Sequence, residues 1–258
     1  MTRRGLLLPR EHGAYAEIAF PVLTGLTLGH PTAVSICLAV SATAFFVLYE
    51  PLAVLTGVRG RRVKEQWGGQ AKERVPLLAI LGIVAGTVAL TSADAELRLA
   101  ALAPLGAGGA LLPAFLSGKL KTLATEILVI AALSGVVLPM AISNGVAWPL
   151  AWAASAVWFV TFLLGTLAVH AIKARTGKKL GARWTVVVTP ALSAIVAVFG
   201  LIAALSNWLP LTVSLAFSVS GVVGAVLSMI PVHPRHMKRV GWTLVSSNFV
   251  TWWLLLAA

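Results

Sequence analysis

The sequence predicts an all-α protein, a polytopic transmembrane helix bundle of about nine spans that occupies residues 1–258 as a single integral membrane domain. Three observations carry that prediction. Of the residues, 59% are apolar and only 11% charged, whereas a soluble domain carries about 25% charged residues. The mean hydropathy of +0.92 is too high for a surface facing water. The apolar residues also fall in runs suited to cross about 30 Å of hydrocarbon as helices, which satisfy their own backbone polar groups.

Taken in order, the first span is expected over 16–29, closed by the turn Gly29-His30-Pro31. The second covers 32–55 and leads into a basic loop from Gly57 to Arg74. The third covers 75–92, and the segment from Ser92 to Arg98 reverses the chain. The fourth covers 98–117, with Lys119 and Lys121 in the turn after it. The fifth runs over 123–142 to Ser143-Asn144-Gly145, and the sixth over 147–170 to a second basic loop from Lys173 to Arg183. The seventh (184–205), the eighth (209–230) and the ninth (241–257) follow, the last two separated by a loop from Pro231 to Arg239. Pro21, Pro104, Pro113, Pro139 and Pro190 are expected to bend their helices, and Gly106 to Ala110 to let helices approach closely.

Charge placement tests that layout. Numbering the sides alternately puts 19 of the 20 Lys and Arg on one side and only Arg98, near Asp94 and Glu96, on the other. A missed or invented span would scramble the division. The positive-inside bias then sets the N-terminus in the cytoplasm and the C-terminus outside. Trp148, Trp152, Trp208, Trp252 and Trp253 fall near outer ends and Trp184 and Trp242 near inner ends, as interfacial rings prefer, while Trp158 is expected to pack inside. The net charge of +12 sits in short loops between apolar runs, which points to lipid headgroups as partners and away from nucleic acid. The single cysteine, Cys37, forms no internal disulfide and is read as a packed small residue. The start lacks a signal-peptide core, so a cytoplasmic tail is expected.

The acids are few, which makes their positions informative. Ionisable groups within spans cost about 2.5–3.5 kcal/mol near the centre on insertion scales, and they tend to face the bundle or a wet cavity. Glu17 opens span one, Glu50 lies inside the inner end of span two, and Glu126 follows the start of span five; His12 and His170 come to the same membrane face. Arg10, Arg59, Arg61, Arg62, Lys121 and Lys173 sit above them. Carboxylates and imidazoles at that depth are candidates for acid–base work, with Glu50, Glu126, His12 and Glu17 as the catalytic set. The basic residues with His170 are candidates for holding an anionic headgroup or phosphate. The competing reading is neutralisation: the carboxylates balance Arg or Lys, and the long side chains snorkel to the interface. His233 and His236, between prolines and without a cysteine, give no reason to expect a metal. No phosphate-binding glycine loop, nucleophile elbow or His-Glu-x-x-His helix is present, and no cofactor is named.

The segment Arg10-Glu11-His12-Gly13-Ala14-Tyr15-Ala16-Glu17, followed by Phe20-Pro21 and Gly25, resembles the opening of the YwiC-like family of bacterial membrane proteins, as do Pro51-Leu52 and Arg59-Gly60-Arg61-Arg62. That resemblance implies a bacterial inner-membrane location and carries no activity with it. Span number, inside N-terminus and long inner loops after spans two and six are similar to the UbiA superfamily of prenyltransferases. Those enzymes hold an isoprenyl diphosphate through magnesium on Asp-rich motifs. This chain departs from them, since its one aspartate, Asp94, lies on the other side. The leading expectation is a membrane-embedded, prenyltransferase-like enzyme acting on a lipid-like, isoprenoid or phosphorylated amphiphile. A small-solute permease and a membrane assembly or accessory protein are the alternatives.

Overall fold

The computed structural model describes residues 7, 8, 12–118, 122–175, 183–230, 232 and 236–258. Among these, regular structure is helical throughout: α1 (His12–Thr27), α2 (Ala33–Leu55), α3 (Arg61–Thr91), α4 (Ala95–Ala110), α5 (Leu112–Leu116), α6 (Leu123–Gly135), α7 (Val137–Ser143), α8 (Trp148–Arg175), α9 (Thr185–Leu205), α10 (Leu211–Met229) and α11 (Met237–Leu256). Among the described residues, seven stretches are long and apolar enough to cross a membrane: α2, α3, α4 with α5, α6 with α7, α8, α9 and α10. The protein is a multi-pass membrane helix bundle. The helices expected as the first and ninth spans, α1 with 16 residues and α11 with its early Lys238 and Arg239, are formed and pack into the same body but are not among those seven.

Two expected spans are each broken once, and proline chemistry accounts for both. Pro113 stands at the start of α5, and its missing N–H leaves the Gly109 carbonyl without its usual partner; Leu111 instead donates to Gly108 O at 3.1 Å and the helix restarts. Pro139 does the same to Gly135 O, and the break falls at Val136. A neighbour supports this second bend, because Ser155 Oγ on α8 donates to Ser134 O at 3.1 Å. Pro21, Pro104 and Pro190 lie within continuous helices.

The structure corrects the loop expected from Gly57 to Arg74. Helix α3 begins at Arg61 and extends well before its apolar run. Lys, Arg, Glu, Gln and Ala are good helix formers, so polarity alone did not end the helix. Val63, Trp67 and Ala71, spaced four apart, share one face and pack with Leu7, Val54 and Leu55. For the same reason α8 reaches Arg175 and α11 starts at Met237, shortening two more expected loops.

The core is built around Trp158, which is fully buried and stacks against Phe20 and Phe162 at centroid distances of 5.5 and 5.4 Å. Its indole N–H donates to Thr24 Oγ1 at 2.9 Å, tying α8 to α1. Asn144 pins the same C-terminal end of α1: its amide donates to Gly25 O at 2.7 Å and Leu28 O at 3.1 Å, and its Oδ1 accepts from Thr32 N at 3.2 Å. Gly29, at φ +74, is required there, since a Cβ would stand 2.5 Å from Asn144 O. Close helix approach occurs between α9 and α10, where a Cβ on Gly221 would meet Ala197 N at 2.5 Å. It does not occur at Gly106, Gly108 or Gly109, which face open space and so depart from the sequence expectation.

Candidate functional site

Because consecutive spans run antiparallel, one end of the bundle gathers the start of α1, the end of α2, the starts of α3 and α6, and the end of α8. Two of the acids singled out from the sequence, Glu50 and Glu126, each form a pair there.

The first pair is Glu50 with Arg59. Glu50 lies on the last turns of α2 and is buried, with 4% of its surface exposed. Arg59 lies in the turn that follows, and its Nη2 and Nε both donate to Glu50 Oε2, the latter at 3.2 Å. The backbone N–H of Arg59 also donates to Ala53 O at 3.2 Å, which folds the turn back over the end of α2. The guanidinium lies 5.9 Å from the Tyr49 ring centroid, and Tyr49 meets Phe115 of α5 edge-on. A carboxylate at this depth needs its partner, and Arg59 supplies both charge and hydrogen bonds.

The second pair is Glu126 with His170. The Thr122–Thr125 capping box starts α6, and Glu126 stands in its first turn, where the positive end of the helix dipole favours a carboxylate. Across the interface, His170 projects from the last turns of α8. Its Nε2 lies 2.6 Å from Glu126 Oε2; the side chains are 9% and 36% exposed respectively. The imidazole is therefore held inside, while the carboxylate that orients it remains reachable. A histidine fixed at one nitrogen by a carboxylate is a standard arrangement for receiving and returning a proton.

Glu17 is half-buried on α1 and has a partner of its own. Arg61 and Arg62 are exposed at the start of α3, where Arg61 Nε donates to Glu65 Oε1 at 2.9 Å. Lys173 is exposed one turn beyond His170 and also has a partner. Arg10, Lys121 and His233, as well as the side chain of His12, lie outside the described residues. Thus the structure joins Glu50 to Arg59 and Glu126 to His170. Among those residues, no group of three or more His, Cys, Asp or Glu is placed to hold a metal ion. Tyr49 was missed from the sequence; its adjacency to Glu50 was the available signal.

The YwiC-like protein family matches residues 8–141, just over half of the chain, from before α1 to within α7. The chain belongs to the YwiC-like family. No curated protein and no solved structure matches it. The similarity to the UbiA superfamily accordingly rests on span order alone. The family match encloses Glu50, Arg59 and Glu126, whereas His170 lies on α8, beyond it.

Proposed function

We propose that this YwiC-like protein is a membrane-embedded enzyme acting on an anionic amphiphile, isoprenoid or phosphorylated, at the cytoplasmic ends of its helices. The observation that carries this reading is the Glu126–His170 contact between α6 and α8, with its carboxylate still open. In it, His170 moves the proton and Glu126 orients the ring and balances its charge. Lys173, one turn further along α8, supplies a cation near the headgroup of the amphiphile. Glu50 and Arg59 hold the neighbouring hairpin end in place. The positive-inside bias supports a cytoplasmic N-terminus in a bacterial inner membrane.

The test is to purify wild type, Glu126→Gln and Glu50→Gln from membranes and identify retained lipids by mass spectrometry. Wild type should carry a defined amphiphile, and Glu126→Gln should lose it or accumulate an unprocessed form. Absence of any bound amphiphile, together with solute uptake by reconstituted vesicles, would replace the enzyme with a permease. The permease reading draws on buried polar residues at mid-span, where Thr161 and Ser220 hydroxyls lie 2.6 Å apart and Asn248 is 4% exposed.

A further inference from the structure

The helix α8 is buried on most sides but opens along one strip. His170, Thr166, Leu163, Phe159, Ala156 and Trp152 follow one another at steps of three and four residues. At 3.6 residues per turn they all lie within about 40° of the line through His170. One edge of the strip is held by α6, through Ser155 with Ser134 O and His170 with Glu126. The other edge is marked by Leu164, whose Cβ would stand 3.1 Å from one added at Gly224 of α10. Between these edges Thr166, Leu163, Phe159 and Ala156 are half-buried. Residues on open lipid-facing ridges are barer: Leu77 on α3 is 67% exposed, and Val187 and Ile195 on α9 are 72% and 64% exposed. The strip is therefore recessed, the floor of a groove flanked by α6 and by the packed pair α9 and α10.

Polarity changes in one direction along that floor. His170 stands at the end, with exposed Lys173 one turn beyond it. Thr166 comes one turn deeper, and its hydroxyl makes no hydrogen bond among the described residues. Below it Leu163, Phe159 and Ala156 offer only carbon. Cation, hydroxyl and hydrocarbon succeed one another as headgroup, polar linkage and chain do in a lipid. The ten residues from Thr166 to Ala156 span about 15 Å of helix, half of the about 30 Å of hydrocarbon in a bilayer. The groove thus has the depth of one leaflet. A water-soluble substrate would have no use for the three apolar positions, whereas a chain already in the bilayer lies directly against them.

We propose that the amphiphile is a lipid of the leaflet at this end of the bundle and reaches Glu126–His170 sideways, with its chain in the α8 groove and its linkage held by Thr166. This deepens the proposed function and rests on it for the role of the dyad. The test uses the full-length protein in phosphatidylcholine nanodiscs that carry a phosphatidic acid with a diazirine at mid-chain, and crosslinked residues are mapped by mass spectrometry. Labelling of Leu163 and Phe159 should saturate and be displaced by unlabelled phosphatidic acid, while labelling of Ile195 on the open face of α9 should rise in proportion to the probe. Leu163→Trp, which fills the groove, should abolish labelling at Phe159. Thr166→Val, which keeps the shape of the side chain, should weaken it about fivefold, the worth of one hydrogen bond. Both positions are half-buried, so melting temperatures near that of wild type are expected of both variants. Labelling that persists in Glu126→Gln while the retained lipid is unchanged would uphold the groove and defeat the enzyme reading. Labelling at Leu163 and Phe159 that fails to saturate, as at Ile195, would overturn the proposal. So would displacement by glycerol 3-phosphate as effective as that by phosphatidic acid, which would bring the substrate in from the aqueous side.

Discussion

The two ionic pairs at the basic end of the bundle differ in sequence separation, burial and consequence. Glu50 and Arg59 are nine residues apart and close a turn within their own hairpin. Glu126 and His170 are 44 residues apart and meet only because α6 packs on α8. In the first pair the carboxylate is sealed, with 5% of the side chain exposed; in the second the carboxylate keeps 36%. A sealed local pair serves the fold, since removing either partner strands a charge away from water. An open pair between helices can exchange its partner for a ligand at small cost, which is what acid–base chemistry asks of it.

The sharpest way to break this contrast is Arg59→Ala, which strands Glu50. A loss of about 3 kcal/mol is expected, the low end for breaking a buried pair because Arg59 stays partly exposed. Thermal unfolding in detergent should show the drop, and adding Glu50→Gln should restore most of it. Asn144→Ala is next, at about 2 kcal/mol, because it leaves the Leu28 and Gly25 carbonyls without their buried donor. The same melting assay checks it, and an unchanged midpoint would show that water fills the gap. His170→Ala should cost about 1 kcal/mol or less, since Glu126 can hydrate, yet abolish retention or turnover of the amphiphile. A large destabilisation without functional loss would merge the two pairs into one structural class. Arg61→Ala, removing an exposed pair four residues apart on α3, should lie within measurement error of wild type in the same assay. Orientation is checked separately in a Cys37→Ala background. A cysteine at Arg62 should react only with reagents reaching the cytoplasm, and one at Glu96 only with those outside.

Hydropathy made the succession of spans legible because each apolar run is bounded by charge or a turn. Its blind spot was the start of α3. Apolar runs stop at Arg74, whereas the helix is carried further by propensity and by Val63, Trp67 and Ala71. That four-residue spacing was present in the sequence and hidden by the surrounding charge. The place of Glu50 inside the end of α2 was readable, and so was the arrival of Glu126 and His170 at one end of the bundle. Their pairing was not, because it depends on which faces α6 and α8 turn toward each other. The glycines misled for a related reason: Gly106 to Gly109 looked like a packing motif, but close approach was realised at Gly221, where a second helix lies opposite.

The bend at Val136 has a mechanical consequence. The helix α6 is fastened to α8 at two levels, through Ser134 O with Ser155 and through Glu126 with His170. These fastenings lie eight residues, about 12 Å, apart along α6. Two anchors set the tilt of a rod as well as its position. Parting the dyad therefore means pivoting α6 about Ser134, a hydroxyl-to-carbonyl bond acting as the fulcrum.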